Sequence, residues 1–394
     1  MEKFVPASTS ATSIFTCGPS VYQRSHIGNY RTFLFEDTLV RYLEYCGFKV
    51  KRGMNFTDIE DKALIEAKRR GMTLRRLTDE NIGIFTKEMR QLRMKVPDYL
   101  PRASENVESA IEIIETLLHK GKAYRYGTDI YFDPLKFPRF GSLYGLDMSR
   151  WPKRKVRFRK DTYPGMRWNR GDFILWHGCR ADDRVCWDTP LGRGWPAWSI
   201  QDPSMIAPLF DETLSVYCGG IDNLVRHHDY SLAILESIRA YPMAKYWLHC
   251  HHLYANGKKM SKSLGNIIYL EMLTGKGFTA QEVRFFLIDG HYRRKMNFRE
   301  DRFRMSAEKL RALRNRVRKI QTKARGTRCV GSETAIRLET QFRAGMNNDL
   351  QVDQAIDSLT ALLAEKDRVG MPKKEAAALY ASLRCIDDVL QVLF

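Results

Sequence analysis

Two short stretches that lie far apart in the chain constrain its fold more than any other feature. The first, Cys17-Gly18-Pro19-Ser20-Val21-Tyr22-Gln23-Arg24-Ser25-His26-Ile27-Gly28-Asn29, follows the apolar run Ser13-Ile14-Phe15-Thr16. It precedes Arg31 to Tyr45, where Phe35, Leu39, Tyr42 and Leu43 recur at helical spacing. That order reads as strand, loop and helix. A glycine-bearing loop feeding a helix N-terminus presents backbone N–H groups and the positive end of the helix dipole to phosphates. His26 adds a donor, and Gly28 leaves the approach to the backbone free of a Cβ. The second stretch, Lys259-Met260-Ser261-Lys262-Ser263, brings two cations between Gly257 and Gly265, the composition of a loop that closes over leaving phosphates. Either stretch alone is an ordinary helix start or a solvated basic turn. Occurring together around a βα pattern, they read as one ATP site.

The pair resembles the "HIGH" and "KMSKS" elements of class I aminoacyl-tRNA synthetases, and the surrounding sequence resembles cysteinyl-tRNA synthetases. The matching stretches are Cys17-Gly18-Pro19…Tyr22…His26-Ile27-Gly28-Asn29, Asn55 to Lys62, Gly171 to Trp176, Gly219-Gly220…Asp222…His227-His228, and Lys259 to Asn266. The resemblance runs from about residue 10 to the C-terminus. It implies an α/β fold: a doubly wound, Rossmann-like parallel sheet with a connective insertion, followed by a C-terminal α-helical bundle. It also implies ATP with Mg²⁺, an amino acid and tRNA as ligands. The implied ATP contacts are Gly18, Tyr22, His26, Gly28, Gly219, Gly220, Asp222, Lys259, Met260, Ser261, Lys262 and Ser263. His26, Asn29, Lys259 and Lys262 would act on the phosphates.

Composition agrees with a polyanionic partner. The 394 residues carry 65 Lys and Arg against 46 Asp and Glu, a formal net charge of +19, which favours binding to nucleic acid. Eight cysteines lie scattered with no CxxC pair, and no secretory signal opens the chain, so reduced thiols and a cytoplasmic location are expected. No apolar run is long enough to span a bilayer. A monomer and a homodimer are both open.

Taken in order, residues 1–118 read as the first half of a nucleotide-binding catalytic domain, with Phe48-Lys49-Val50 as its second strand and Asp58 to Arg70 as a helix capped by Thr57 or Asp58. Pro101 to His119 places Val107, Ile111, Ile114, Leu117 and Leu118 on one helical face. Residues 119–190 change texture and read as the insertion. Their cations Arg150, Lys153, Arg154, Lys155, Arg157, Arg159 and Lys160, interleaved with Trp151 and Phe158, suit single-stranded RNA through charge and stacking. Residues 191–300 resume the catalytic domain. Leu214 to Tyr217 is a strand running into Gly219, Gly220 and Asp222, which suit a ribose edge, and His227 and His228 lead a helix. Residues 301–394 are helical, with Phe303, Leu310, Leu313, Val317 and Ile320 on one face of the first helix.

The departures from the family concentrate around the amino acid. The family holds a zinc that binds the substrate thiolate, using two cysteines, a histidine and a glutamate; soft Zn²⁺ prefers sulfur. Cys17 and His227 match two of these, while Asp202 stands for the second cysteine and Ser231 for the glutamate. Asp ligates zinc through oxygen, so Cys17, Asp202 and His227 form a three-ligand candidate, one ligand short of the family's set. Together with Thr57 and Trp198 these residues are the expected amino-acid pocket, with or without metal. Tyr217-Cys218-Gly219-Gly220 replaces the family's His-Gly-Gly-Gly, and His177 replaces a lysine. The phosphate apparatus is kept while the pocket is changed, which points to altered substrate choice. The sequence stops at Phe394, where the family usually adds an anticodon-reading module. Two alternatives therefore accompany the tRNA ligase reading: an adenylate-forming ligase acting on a small amine or carrier protein, and a non-catalytic RNA-binding paralogue.

Overall fold

The computed structural model describes residues 4–152, 154–158, 170–180, 185–328 and 331–394. In chain order the elements are β1 (Thr12–Thr16), α1 (Ile27–Tyr45), β2 (Val50–Met54), α2 (Asp61–Arg69), α3 (Leu74–Gln91), α4 (Val107–His119), β3 (Ala123–Tyr126), β4 (Asp129–Phe132), β5 (Arg157–Phe158), β6 (Asp172–Gly178) and β7 (Gly194–Pro196). There follow α5 (Trp198–Ile206), β8 (Leu214–Gly220), α6 (Asp229–Ile238), β9 (Ala244–Cys250), β10 (Leu253–Ala255), β11 (Lys258–Lys259), α7 (Leu270–Thr274), α8 (Ala280–Ile288), β12 (Met296–Phe298), α9 (Glu300–Ala324), α10 (Glu333–Asn347), α11 (Val352–Val369) and α12 (Lys373–Leu390).

The central sheet has the order β2-β1-β8-β9, and every neighbouring pair is parallel. β1 is buried at all five positions because helices cover both faces of the sheet. Alternate side chains enter opposite cores: Ile14 and Val216 pack with α1, while Phe15 and Tyr217 pack with α5 and α6. The chain leaves β1 towards β2 on one side and β8 towards β9 on the other. The carboxyl ends of β1 and β8 therefore border the crevice where crossovers diverge, the usual ligand position in such sheets.

A second sheet, β3-β4-β6-β5 with β7 also paired to β6, interrupts the chain between α4 and α5. A small third sheet, β11-β10-β12, carries the Lys259 segment. α9 buries Phe303, Leu310, Leu313, Val317 and Ile320 against its neighbours, as the periodicity requires. No helix among the described residues is long and apolar enough to cross a membrane.

Several local expectations are corrected. The second strand is Val50–Met54, because Gly47 at φ 90° turns the chain out of α1 and the Phe48 N–H still bonds back to Leu43 O at 3.0 Å. α2 begins at Asp61, not Asp58: Thr57 pairs with the 19–21 loop, and Asp58 accepts from the Ser104 N–H at 2.8 Å and hydroxyl at 2.5 Å, so neither caps it. α4 begins at Val107 after a single 3-10 turn at Ala103–Glu105.

In the insertion, Trp151 is buried edge-on to Phe140, Lys155 pairs with Asp133 at 2.5 Å, and Arg157 lies 3.9 Å over the Tyr126 ring. Trp151 is thus core, not a stacking surface, while Lys155 and Arg157 have partners within the domain and stay exposed or half-buried. Lys153, Arg159 and Lys160 lie outside the described residues. The expectation of reduced thiols fails at Cys179 and Cys186, which form a disulfide. Cys17, Cys46, Cys218, Cys250 and Cys385 are free thiols, and Cys329 lies outside the described residues.

Two buried arginines tie the second half of the chain to α1. Arg31 donates to four carbonyls, of His251, Leu287, His291 and Arg294, at 3.0–3.2 Å. Arg284 donates to Asp37 at 2.7 Å, Leu390 O at 2.7 Å and Leu92 O at 2.9 Å. Against the burial that pushes its carboxyl up, Arg284 and Arg41 hold Asp37 below the usual carboxylate range. Replacing Arg284 by Met would leave buried Asp37 with the Lys95 N–H at 2.7 Å and the partly exposed Arg41 at 3.0 Å but without its one fully buried cation. We expect a loss of about 3–5 kcal/mol in chemical denaturation, and a change under 1 kcal/mol would show that the clamp is not structural.

Candidate active site

A cleft of about 720 Å³ opens at the carboxyl ends of β1 and β8. Of the residues singled out in the sequence, Cys17, Gly18, Tyr22, His26, Gly28, Asn29, Thr57, Trp198, Gly220, Asp222, Lys259 and Met260 line it. Gly219, Asp202, His227, Ser261, Lys262 and Ser263 do not.

His26 is the N-cap of α1. Its Nδ1 accepts from the Gly28 N–H at 3.1 Å, which leaves the other ring nitrogen to carry the proton. Burial, then the nearby Lys259, pushes its pKa down to about 4. At neutral pH the ring is therefore an uncharged N–H donor fixed at a helix N-terminus. Asn29 holds it there: the His26 N–H donates to Asn29 Oδ1 at 3.0 Å, closing a reciprocal cap. Part of the Asn29 side chain is thus committed to the helix end, a role the sequence reading did not assign.

The Lys259 loop reaches this point because Met260 is buried against Gly28. A Cβ on Gly28 would lie 2.7 Å from Met260 Cε and 2.8 Å from His26 Cε1. A side chain at this position would make the Met260 terminal methyl and the His26 ring shift. Lys259 Nζ lies 3.5 Å from Asp222 Oδ2, and both groups are exposed. Lys262 and Lys62 place their ammonium groups 5.7 Å and 5.6 Å from the centre of the Tyr22 ring. Asn266 closes the loop, accepting from the Ser261 N–H at 2.9 Å and donating to Lys259 O at 3.2 Å. Gly257 and Gly265 at either end both have positive φ, 77° and 59°.

Behind the cleft wall lies a buried polar cluster. Single ligand atoms of Cys17, Asp202 and His227 fall within 4.8 Å of one another. His227 Nε2 is 2.8 Å from Asp202 Oδ2, yet neither ring nitrogen makes a hydrogen bond of acceptable direction. Asp202 Oδ1 accepts from Asn55 Nδ2 at 3.0 Å and Oδ2 from the Tyr217 hydroxyl at 2.5 Å. Asn223 Nδ2 donates to Cys17 Sγ at 3.4 Å, and burial, reinforced by Asp202, pushes the Cys17 thiol well up. Trp198 stacks on His227 at 3.7 Å and separates it from the cleft. A soft sulfur, an imidazole with both nitrogens lacking a directed partner and a carboxylate make a donor set that fits Zn²⁺. Ser231 does not take a fourth place: its hydroxyl donates to His227 O at 2.9 Å.

His227 and His228 lead into α6 as expected, from a single π turn, Leu224–His228, with His228 as the N-cap of the helix. The turn puts His228 under Gly219, where a Cβ would meet His228 Cε1 at 2.7 Å. Gly219 therefore serves the packing of a buried imidazole, and Gly220 faces the cleft. Asp58, next to Thr57, is turned away to Ser104.

Other cleft residues were missed in the sequence, among them Glu60, Trp195, Asn223 and His252. Glu60 was visible only as part of an acidic first turn. It is in fact the residue before α2, with one carboxyl oxygen enclosed and without a partner, and burial pushes it up to about 7.

Comparison with known proteins gives a consistent picture. A family model described as the class I (C) tRNA synthetase catalytic domain matches residues 3–308. A cysteine--tRNA ligase of Chlamydia trachomatis is 34% identical over 414 residues, covering 100% of this chain and 86% of its own. That of Protochlamydia amoebophila is 31% identical over 405 residues, covering 100% and 84%. Among solved structures, Mycobacterium tuberculosis methionyl-tRNA synthetase with methionyl-adenylate superposes with a TM-score of 0.68 at 14% identity, over 97% of this chain and 90% of that one. An Agrobacterium radiobacter LeuRS–tRNA–LeuAMS complex gives 0.69 at 13% identity, over 99% and 85%. At such identities these structures speak for the fold alone.

The position of Glu60 has a measurable consequence. Its folded pKa lies above the value near 4.5 of an unfolded chain, so the fold is favoured by the neutral form, and stability falls as pH rises through about 7. Glu60→Gln removes that dependence. We expect the variant to gain on the wild type between pH 5 and pH 8 in thermal denaturation, by on the order of 3 kcal/mol at the upper end. Parallel curves across that range would contradict the burial of this carboxyl.

Proposed function

The chain belongs to the class I tRNA synthetases, among the relatives of cysteine--tRNA ligases, and from that premise we propose that it activates an amino acid with ATP and transfers the acyl group to tRNA. The observation that supports this most is the convergence of His26, Lys259 and Met260 over one helix N-terminus at the switch point of a parallel sheet. In this reading the amino-acid carboxylate attacks the α-phosphate in line, and pyrophosphate leaves. A terminal ribose hydroxyl of tRNA then attacks the acyl carbon, releasing AMP.

His26 donates one hydrogen bond to phosphate without adding a charge. Lys259 and Lys262 neutralise the negative charge that builds on the leaving pyrophosphate, with Gly257 and Gly265 as the ends of the closing loop. Mg²⁺ accompanies the nucleotide. Gly220 lets the nucleoside approach β8, and Asp222 accepts from a ribose hydroxyl once Lys259 turns to the phosphates. No covalent enzyme intermediate is needed, since positioning and charge supply the catalysis.

Thr57 and Trp198 border the amino acid. Cys17, Asp202 and His227 would hold a zinc ion, which when bound supplies a soft anchor for a substrate thiolate. Residues 1–118 and 191–300 are assigned to the catalytic domain, 119–190 to an insertion facing the tRNA acceptor end, and 301–394 to a helical domain alongside the tRNA.

Amino-acid-dependent ATP–pyrophosphate exchange, run across all twenty amino acids with and without zinc, tests the first half-reaction. We expect exchange with one amino acid and a fall of at least about 100-fold in Lys262→Ala, the scale of losing one preorganised charge contact. Absence of exchange with every amino acid, in the presence of tRNA, would sink the proposal.

The acceptor is tested separately. A tRNA contacting six or more phosphates should lose about 10³-fold or more in affinity between 50 and 200 mM salt. Binding that is absent, or flat with salt, in a protein active in exchange would favour a small amine or carrier protein as acceptor.

A further inference from the structure

Both carboxyl oxygens of the wholly buried Asp202 are held by directed donors, Tyr217 and Asn55. Its Oδ2 receives the Tyr217 hydroxyl at 2.5 Å, and Tyr217 is wholly buried in β8, stacked on Phe15 at 5.8 Å. Its Oδ1 receives Asn55 Nδ2 at 3.0 Å. The amide of Asn55 cannot be flipped, because its Oδ1 accepts the Gly18 N–H at 2.8 Å and Gly18 adjoins Cys17. One donor from β8 and one from the loop after β2 therefore fix both carboxyl oxygens of a residue on α5, and fix them facing Cys17 and His227.

We propose that Tyr217 and Asn55 are positioning residues for a metal ligand: they hold the Asp202 carboxylate so that one oxygen completes a site with Cys17 Sγ and His227. The proposal rests on the metal-assisted form of the function above. The physical reason is geometric. A cysteine in that place would offer one ligand atom on a short arm, whereas a carboxylate offers two oxygens and rotates about its last bond. Such a ligand needs outer partners to present one lone pair in a constant direction, and partners of this kind typically govern affinity by about 10–100-fold. Tyr217 meets that need from a rigid strand, and its ring, in contact with His228 and Trp247, leaves it no other place to go.

The test is a double-mutant cycle read as zinc affinity, measured on the full chain by competition with a chromophoric chelator after metal removal. Wild type is expected to take up one zinc, and Tyr217→Phe, which deletes only the hydroxyl, to bind it about 10–100-fold more weakly. In the Asp202→Cys background, where a thiolate has no second oxygen to steady, Tyr217→Phe should change affinity less than about twofold, so the coupling equals nearly the whole effect. A hydroxyl that merely supports the fold would weaken both backgrounds alike, and that result would overturn the proposal, as would an affinity unchanged by Tyr217→Phe in the native background. Should Tyr217→Phe prove unstable, Asn55→Ser, which removes the amide donor and leaves a hydroxyl below Gly18, is read in the same way. A wild-type chain that binds no zinc yet performs exchange would overturn this inference and the metal clause while leaving the synthetase reading standing; loss of exchange with zinc bound would do the reverse.

Discussion

The contact on which the site depends is the approach of Gly18 to Asn55. A Cβ on Gly18 would lie 1.8 Å from the Asn55 carbonyl oxygen, so only glycine permits the loop leaving β1 to lie against the loop leaving β2. Two results follow from that closeness. The backbone pairs Thr57 with Pro19 and Val21, extending the sheet's register past the strand ends and setting the direction in which the chain travels towards His26. The side chain of Asn55 is also oriented, which settles the direction of Asp202 on an element that contributes nothing else to the loop. A single close backbone approach thus couples the phosphate-facing residues to the buried cluster behind Trp198.

The second constraint is the distance in sequence between the two motifs. Nothing local brings Lys259 to His26; packing of the intervening halves must do it. Arg31, in the second turn of α1, threads four carbonyls of the segment from His251 to Arg294, and Met260 then fills the space over Gly28. Carbonyl acceptors suit this task because they compensate a buried guanidinium without a second charge, and they fix backbone directly. Arg284 repeats the device between α8, α1 and the end of α12. The helical domain is thereby joined to the same helix whose N-terminus His26 caps, so the position of the loop, the cap and the bundle are set by one scaffold element.

Much of this was legible in the sequence, and the parts that were not share a cause. The run at 13–16, the helical spacing after Arg31 and the apolar face from Phe303 to Ile320 are patterns within one element, and pattern determines which face is buried. The packing of His228 under Gly219, the cap made by Asn29 and the diversion of Asp58 to Ser104 each depend on a partner from elsewhere in the fold, or on a cap geometry that competes with a ligand role. Residue type alone does not decide between those roles. Trp151 shows the same limit from the other side: an aromatic among cations reads as a stacking surface, but Phe140 lies in reach and the ring is buried. Cys179 and Cys186 likewise meet as a disulfide, although their spacing matches no familiar motif.

The exchange of sulfur for oxygen at position 202 changes less than it first suggests. The family's glutamate has no acidic counterpart at Ser231, so one anionic donor is lost there, but at position 202 an ionised Asp carries the same single charge as a thiolate. What changes is the direction and softness of one donor, and the direction is restored by Tyr217 and Asn55. Selection of a thiol over a hydroxyl depends on the incoming atom, which must be soft and acidic enough to arrive as an anion. It does not require that every protein ligand be sulfur. The sharper constraint on the substrate is steric: Trp198 lies flat on His227, so the cluster is open to the cleft through Cys17, the one of its three residues that lines it.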